Sequence, residues 1–212
     1  MAHDAAAASP TPRSTGESPR AGPPAATTLA TMVIRPERTG TAGDGDAAAI
    51  RAVHTAAFRA PGTPGEVPVE ATLVDHLRAD AGWLPRLSLV AVVDGDVVGH
   101  VVCTRGWLAT PGGDRAALGL GPLGVVPEHQ GGGVGSALVH AVLGAADALD
   151  EPLVALLGDP GYYRRFGFVP ARTLGVESPD PAWGDHFQAR PLAAYDPALV
   201  GGFRYAAPFT GL

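Results

Sequence analysis

The sequence contains no lysine, no asparagine and a single cysteine, Cys103. One cysteine excludes an internal disulfide and a cysteine-based zinc cluster. Cys103 follows two valines, and no neighbour that would stabilise a thiolate is visible, so the pattern predicts a small buried strand residue rather than a reactive thiol. Without lysine, the chain also lacks the Gly-Lys-Ser/Thr ending of a nucleotide-binding P-loop.

Positive charge is sparse and scattered. All 15 basic residues are arginine, and 21 acidic residues bring the formal net charge to −6. Binding to nucleic acid or to an anionic membrane requires clustered positive charge, so neither partner is expected, and a cationic substrate is favoured. No run approaches the ~18–20 apolar residues of a membrane span, and the N-terminus lacks a signal-peptide pattern, which predicts a cytoplasmic protein.

Composition divides the chain into a tail and a domain. Residues 1–31 consist largely of Ala, Pro, Ser, Thr and Gly with no aromatic side chain, which predicts a disordered tail because little apolar surface offsets the entropy of ordering. Residues 32–212 are predicted to form a single domain, since a chain with 46% hydrophobic and 17% charged residues can bury a core. Met32 opens the first predicted strand, so a translation start at this residue would yield a complete domain.

Hydrophobic periodicity predicts alternating strands and helices. Apolar residues at three- and four-residue steps predict helices over residues 46–58, 69–77 and 133–149, the first capped by the Asp-rich approach that ends at Asp46. Branched and apolar runs predict strands over 32–37, 88–93, 97–105, 116–126 and 152–157, and further strands around Trp183, Phe187 and Phe203.

The order of these elements predicts a mixed α/β fold. A turn at residues 94–96 should join the second and third strands into a hairpin, and a loop is expected at residues 109–114. The strand at 116–126 is interrupted by glycines and a proline. With the helix at 133–149 and the strand at 152–157 it forms a βαβ crossover, which implies parallel neighbours.

A glycine-rich loop, residues 130–135, lies between the interrupted strand and the long helix. The first N–H groups of that helix point into the loop, and glycines let the backbone approach an anion closely, so we expect a phosphate group to bind there. The loop is not a dinucleotide fingerprint: counted from Gly131 and Gly133, the last glycine of GxGxxG is replaced by Ser136.

Gln130, Gly133 and Gly135 match Gln/Arg-x-x-Gly-x-Gly/Ala, and the loop resembles the coenzyme A loop of the Gcn5-related N-acetyltransferase (GNAT) superfamily, in its bacterial acetyltransferase branch. Residues 123–130 look like the strand-4 ending that leads into this loop. Residues 163–168 fit the superfamily's Tyr-x-x-x-Gly-Phe segment after strand 5, and order and spacing agree from residue 33 to about 170. One departure is Asp159, in a shorter turn where many members carry asparagine.

The resemblance implies a GNAT fold, in which a mixed, twisted sheet of about six to seven strands splays between strands 4 and 5 and is flanked by helices. Coenzyme A would lie in the gap, with its pantetheine arm as a pseudo-strand beside a bulge at Gly124. Acetyl-CoA would be the co-substrate, without a metal. The residues expected at the cofactor are Leu123, Gly124, Val125, Gln130, Gly131, Gly132, Gly133, Val134, Gly135, Ser136, Asp159, Tyr163 and Arg165.

The implied activity is N-acetyl transfer to a primary amine of a small molecule or a protein. Such a transfer requires a neutral amine, a donor for the developing oxyanion and a proton for the departing thiolate. Family precedent assigns the oxyanion to the Leu123 amide and the proton to catalytic Tyr163, whose alternative role is aromatic packing under the sheet. The base stays open between a water chain and five residues, each of which also fits a structural role: Asp159, Glu128, His129, Glu70 and His54.

Two further questions stay open at this level. The same loop would suit a catalytically idle acyl-CoA-binding sensor or partner module, or an enzyme that transfers a longer acyl group. Superfamily members often pair, so a homodimer is compatible with the resemblance, but no sequence feature decides the oligomeric state.

Overall fold

A computed structural model describes residues 31–40, 45–60, 62 and 65–210. The predicted disordered tail therefore lies outside the described residues, apart from residue 31. The helices are α1 (Ala47–Phe58), α2 (Val69–Ala79), α3 (Val134–Asp147) and α4 (Pro160–Tyr163). The strands are β1 (Met32–Pro36), β2 (Ser88–Val93), β3 (Asp96–Thr110), β4 (Gly113–Val125), β5 (Leu153–Leu157), β6 (Val169–Pro170), β7 (Val176–Glu177), β8 (Phe187–Pro191) and β9 (Gly201–Arg204).

The described strands form one mixed sheet. Its main order is β1-β2-β3-β4-β5-β8-β6, and β9 pairs with both β3 and β7. The β4–β5 and β7–β9 pairs are parallel, and the other pairs are antiparallel. The predicted fold class is confirmed. The sheet has nine strands among the described residues, because β6 and β7 are only two residues long and carry no periodicity that a sequence pattern could reveal.

The predicted splay lies between β4 and β5. These strands pair only through Leu118 with Val154 and Gly119 with Ala155. On its other side β5 pairs with β8 along its whole length, so β5 follows β8 away from β4. Beyond Gly119, β4 runs on to Val125 without a described strand on that side. The result is a gap that opens toward the loop before α3.

The β3–β4 hairpin differs from the prediction in two places. The expected loop at 109–114 is a two-residue turn, because Thr110 already pairs with Gly113. The register shifts between the Val101–Leu123 and Cys103–Leu120 pairs, so the extra residue lies near Pro122. Proline has no N–H to give to the strand ladder, which accounts for a bulge there. Gly124 is not the bulge residue, since it pairs in register with His100.

Helices cover the two faces of the sheet. Strand side chains alternate between faces, and α3 packs over Val101 and Cys103 of β3, whereas Val102 between them joins the cluster that includes Leu77 of α2. The structure confirms that Cys103 is a buried strand residue, and burial raises the pKa of its thiol. No helix in the described part of the chain is long and apolar enough to cross a membrane.

Two local predictions are wrong. Asp46 occupies the N-cap position of α1, but its side chain makes no capping hydrogen bond. Its carboxylate instead accepts from the Arg35 guanidinium at 2.9 Å and from the Arg38 N–H at 2.7 Å, and these groups hold the pKa of Asp46 below its usual value. Trp183 lies in a 3₁₀ segment that Pro181 begins, not in a strand, although Phe187 and Phe203 do lie in strands.

Candidate active site

The backbone between β4 and α3 forms a concave nest of N–H groups. Gly131 has a φ of 73° and Gly133 a φ of 90°, both in the left-handed region that favours glycine. Gly133 is the N-cap of α3, and its carbonyl already accepts from the Ala137 N–H at 2.9 Å. The amides before Ala137 are the first-turn donors that a helix cannot satisfy internally, so they are free to bind an anion.

A cavity of about 360 Å³ lies against this nest. Its lining residues are Val125, Gln130, Gly131, Gly133, Gly135, Ser136, Tyr162 and Arg165. Seven of these eight are residues that the sequence predicts for the cofactor site. We name this cavity the anion cradle.

Side chains from both flanks fix the shape of the cradle. The Gln130 amide donates to the Val125 carbonyl at 2.9 Å and so ties the loop to the end of β4. From the opposite flank, Arg165 donates from Nε to the Tyr162 carbonyl at 2.9 Å, and its guanidinium carbon lies 4.8 Å from the centre of the Tyr162 ring. An exposed arginine at the rim supplies the positive charge that a phosphate group requires.

Sequence reasoning missed Tyr162 as a lining residue. A side-chain carbon added at Gly135 would lie 3.0 Å from the Tyr162 hydroxyl, so the glycine leaves room for this tyrosine at the cradle. The Tyr162–Tyr163 doublet was the available signal. Adjacent residues of a short helix point in different directions, and only one of the two can follow the superfamily's single tyrosine.

The other predicted cofactor residues lie outside the lining of the cradle. Val134 is buried among the side chains under α3, and Asp159 is exposed and accepts from the Gly161 N–H at 2.8 Å as the N-cap of α4. Leu123 is partly buried and packs on the α3 side of the sheet. Gly124 lies one residue before the cradle on β4, and Gly132 lies between the two left-handed glycines.

Tyr163 packs in a cluster of aromatic rings with Tyr162, Phe166 and Phe168. Its ring meets Phe168 edge-on at 5.7 Å, and a side-chain carbon at Gly158 would lie 2.4 Å from the ring, so the end of β5 comes close to it. Its hydroxyl has no hydrogen-bond partner among the described residues. Burial, with smaller contributions from Tyr162 and Cys103, raises the pKa of Tyr163, so the phenol keeps its proton at neutral pH.

The five candidate bases occupy different environments. Asp159 and Glu128 are exposed, and His129 and Glu70 are partly exposed. His54 alone among them is fully buried, with Nε2 at 2.8 Å from Nδ1 of His100. Burial, and secondly the charge of Arg78, lowers the pKa of His54 to about 4.

Within the described part of the chain, His, Cys, Asp and Glu side chains form no group of three or more that could hold a metal ion.

Comparisons with known proteins agree with this geometry. A family model described as an acetyltransferase (GNAT) domain matches residues 39–171. An uncharacterized N-acetyltransferase of Escherichia coli (strain K12), YjhQ, is 35% identical over 167 residues, which are 77% of this chain and 88% of that protein. The structure of a GNAT family N-acetyltransferase from Escherichia coli, YhbS, in complex with CoA, is 30% identical with a TM-score of 0.71, and the match covers 85% of this chain and 93% of that one. A GNAT family acetyltransferase from Brucella melitensis in complex with acetyl-CoA is 36% identical with a TM-score of 0.65, covering 84% and 98% respectively.

Proposed function

Because the chain belongs to the GNAT acetyltransferase family and is therefore an acetyl-CoA-dependent acyltransferase, we propose that it transfers the acetyl group to a primary amine of a small molecule or a protein. The observation that carries this proposal is the anion cradle, which opens at the end of the gap between β4 and β5. The net charge of −6 favours an acceptor that carries positive charge before it reacts.

The residues of the cradle fit the diphosphate of coenzyme A. The amides at the start of α3 and the Arg165 guanidinium would hold the phosphate oxygens, while Gln130 keeps the loop against β4. The two similar structures with CoA and acetyl-CoA support this placement. The residues Leu123 to Val125, which no described strand pairs with on the side of the gap, would bond the pantetheine arm. When bound, acetyl-CoA supplies an acetyl group activated as a thioester.

Two groups of the protein would then serve the transfer. The Leu123 amide would donate to the carbonyl oxygen as negative charge develops on it. As the amine nitrogen bonds the carbonyl carbon and the carbon–sulfur bond breaks, Tyr163 would give its phenolic proton to the sulfur. Tyr163 is protonated at neutral pH, as this role requires, while its raised pKa makes it a weaker acid than an unburied tyrosine.

Two measurements on the full chain test the acetyl transfer. Calorimetric titration with acetyl-CoA measures cofactor binding, and a thiol-release assay over a panel of amines measures transfer. Binding together with release in the presence of at least one amine supports the proposal. Binding without release from any amine would refute it in favour of an idle acyl-CoA sensor.

Substitution of Tyr163 by Phe tests the proposed acid. Loss of the hydroxyl should lower kcat by more than about tenfold, because general acid catalysis contributes at least that much, while the Kd for acetyl-CoA changes little. Tyr195→Phe is the matched control, since this tyrosine packs against a different hydrophobic cluster, which includes Phe187 and Phe203. An unchanged kcat in Tyr163→Phe would remove Tyr163 from the acid role.

A further inference from the structure

A chain of polar side chains crosses the interior on the side of the sheet that α1 covers. His54 Nε2 lies 2.8 Å from His100 Nδ1, and His100 Nε2 lies 2.9 Å from the Ser88 hydroxyl. Ser88 in turn donates to Glu37 Oε2 at 2.6 Å. His54, His100 and Ser88 are each fully buried. Burying polar side chains costs more free energy than burying apolar side chains in the same space.

The hydrogen bonds that link these four side chains can have only one donor-to-acceptor direction, from His54 toward Glu37. Arg78 donates from Nε to the other Glu37 oxygen at 2.6 Å, so Glu37 acts as a carboxylate and can only accept. Ser88 therefore uses its proton toward Glu37, and its oxygen accepts from N–H at Nε2 of His100. Neutral His100 then has a lone pair at Nδ1, which accepts from N–H at Nε2 of His54. A neutral His54 is left with an unprotonated Nδ1.

The neutral state of both rings follows from their surroundings. Burial lowers the pKa of His54 to about 4 and that of His100 well below its usual value, and the Arg78 charge acts in the same direction on both. Phe58 stacks on the His54 ring and brings no charge. The charged groups that face the pair are Arg78 on α2 and the two carboxylates on its guanidinium, Glu37 and Asp75.

The free nitrogen lies against β4, beside the region expected to hold the cofactor. His54 Nδ1 has no hydrogen-bond partner among the described residues, and a side-chain carbon added at Gly124 would lie 2.7 Å from it. Gly124 thus faces His54, whereas its neighbour Val125 faces the anion cradle. A buried nitrogen without a hydrogen-bond partner is destabilising.

We propose that His54 begins a proton relay that takes the proton the acceptor amine loses, with His100, Ser88 and Glu37 as its further members. The proposal rests on the proposed acetyl transfer. In this proposal, a water bound to Nδ1 would connect the buried ring to the amine, which would approach from the side of β4 that faces α1.

The transfer balances without any additional reagent. As the amine nitrogen bonds the carbonyl carbon, its proton passes to His54 Nδ1, the Nε2 proton of His54 to His100, that of His100 to Ser88, and that of Ser88 to Glu37. The sulfur takes its proton from Tyr163. The protons then move back along the relay, and the proton at His54 Nδ1 leaves through the bound water to solvent, which restores the starting tautomers. The Tyr163 phenolate regains a proton from solvent, so no charged imidazole accumulates in the interior.

The first test measures proton positions in the full-length protein by nitrogen-15 NMR of the histidine rings. The relay predicts that His54 and His100 both carry hydrogen on Nε2 and none on Nδ1 at neutral pH. Hydrogen on His54 Nδ1 would overturn the proposal. This measurement does not depend on activity, so it stands even if the protein acetylates no amine.

The second test uses turnover. His54→Gln and His100→Gln keep polar side chains of similar reach but cannot relay a proton, and each should lower kcat by at least about tenfold while the KM for acetyl-CoA stays within about twofold. His140→Gln is the control, because His140 is exposed on α3. If either relay variant fails to fold, as judged by thermal unfolding, Ser88→Ala breaks the relay and leaves both imidazoles in place.

The outcomes separate the relay from the proposed function. Unchanged kcat in the relay variants overturns the relay while acetyl transfer stands. Wild-type protein that releases no thiol with any amine refutes the acetyl transfer, and the ring nitrogens then decide whether the hydrogen bonds run in the predicted direction.

Discussion

Three consecutive glycines form the loop beside the anion cradle, and they differ in the backbone conformation that each adopts. Gly131 and Gly133 have φ values of 73° and 90°, and a side-chain carbon at either would have no heavy atom within 4 Å. Alanine at either position is therefore disfavoured by backbone torsion alone, and not by a clash. Gly132 has no left-handed φ, and its added carbon would lie 3.6 Å from the His129 carbonyl oxygen, an ordinary contact.

The size of the expected effect follows from the free-energy cost of placing alanine at a left-handed backbone position. An alanine held in the left-handed region costs roughly 1–2 kcal/mol. If the loop keeps its shape in Gly133→Ala, this cost lowers the free energy of unfolding. If the loop relaxes, its amides turn away from the cradle, and the same cost weakens acetyl-CoA binding by roughly 5- to 30-fold. Gly132→Ala should be neutral, or more stable by up to about 1 kcal/mol, because alanine restricts the unfolded chain.

The assay combines two measurements on each alanine variant. Calorimetry gives the Kd for acetyl-CoA, and urea unfolding without the cofactor gives stability. For Gly131→Ala and for Gly133→Ala, the loss in binding free energy and the loss in free energy of unfolding should together amount to about 1–2 kcal/mol. Gly132→Ala should show neither loss. A loss in Gly132→Ala as large as that in Gly133→Ala would refute the reasoning, because backbone torsion would then not distinguish the positions.

Three other substitutions test the edges of the site and the fold. Gln130→Ala should raise the KM for acetyl-CoA about fivefold with little change in kcat, since one hydrogen bond that positions the loop is worth about 1 kcal/mol; an unchanged KM would contradict this. Arg165→Ala should weaken acetyl-CoA binding and flatten its salt dependence, whereas exposed Arg164→Ala, outside the cradle, should do neither; equal effects would count against the cradle. Asp46→Asn should lower the free energy of unfolding by about 1–3 kcal/mol at pH 7. Because Arg35 lowers the pKa of Asp46, that difference should be complete above pH 3.8, the ordinary value, and vanish as the pH falls through the lowered value; in urea titrations, a difference that persisted at the lowest pH would contradict this.

The parts of the fold that the sequence predicts are those with local signals. The three longer helices begin and end within two residues of the predicted positions, because apolar periodicity and the glycines before Val134 are properties of short segments. The parallel pairing of β4 and β5 follows from the crossover through α3. The anion cradle could be predicted from the glycine loop for the same reason, because its N–H donors belong to one continuous stretch of backbone.

The parts that could not be predicted depend on contacts between distant segments. His54 and His100 lie 46 residues apart, and Ser88 and Glu37 lie 51 apart, so no periodicity relates them. The Asp46 carboxylate has a local capping role available, but Arg35 offers a charged partner that is stronger than a backbone N–H. Tyr162 was missed because its position depends on the space left by Gly135, which lies on another element.

The short β4–β5 pairing gives this protein an edge in the middle of its sheet. Among the described strands, none pairs with the side of residues 120–125 that faces the gap. Its backbone groups are therefore open to an extended partner such as a strand of another copy, except at Pro122, which has no N–H, and at the Val125 carbonyl, which accepts from Gln130. A molecule seated there would protect the protein from such association and, at a hundredfold excess over its Kd, would add about 2.7 kcal/mol to stability. Bound acetyl-CoA would thus stabilise the folded enzyme as well as take part in its reaction.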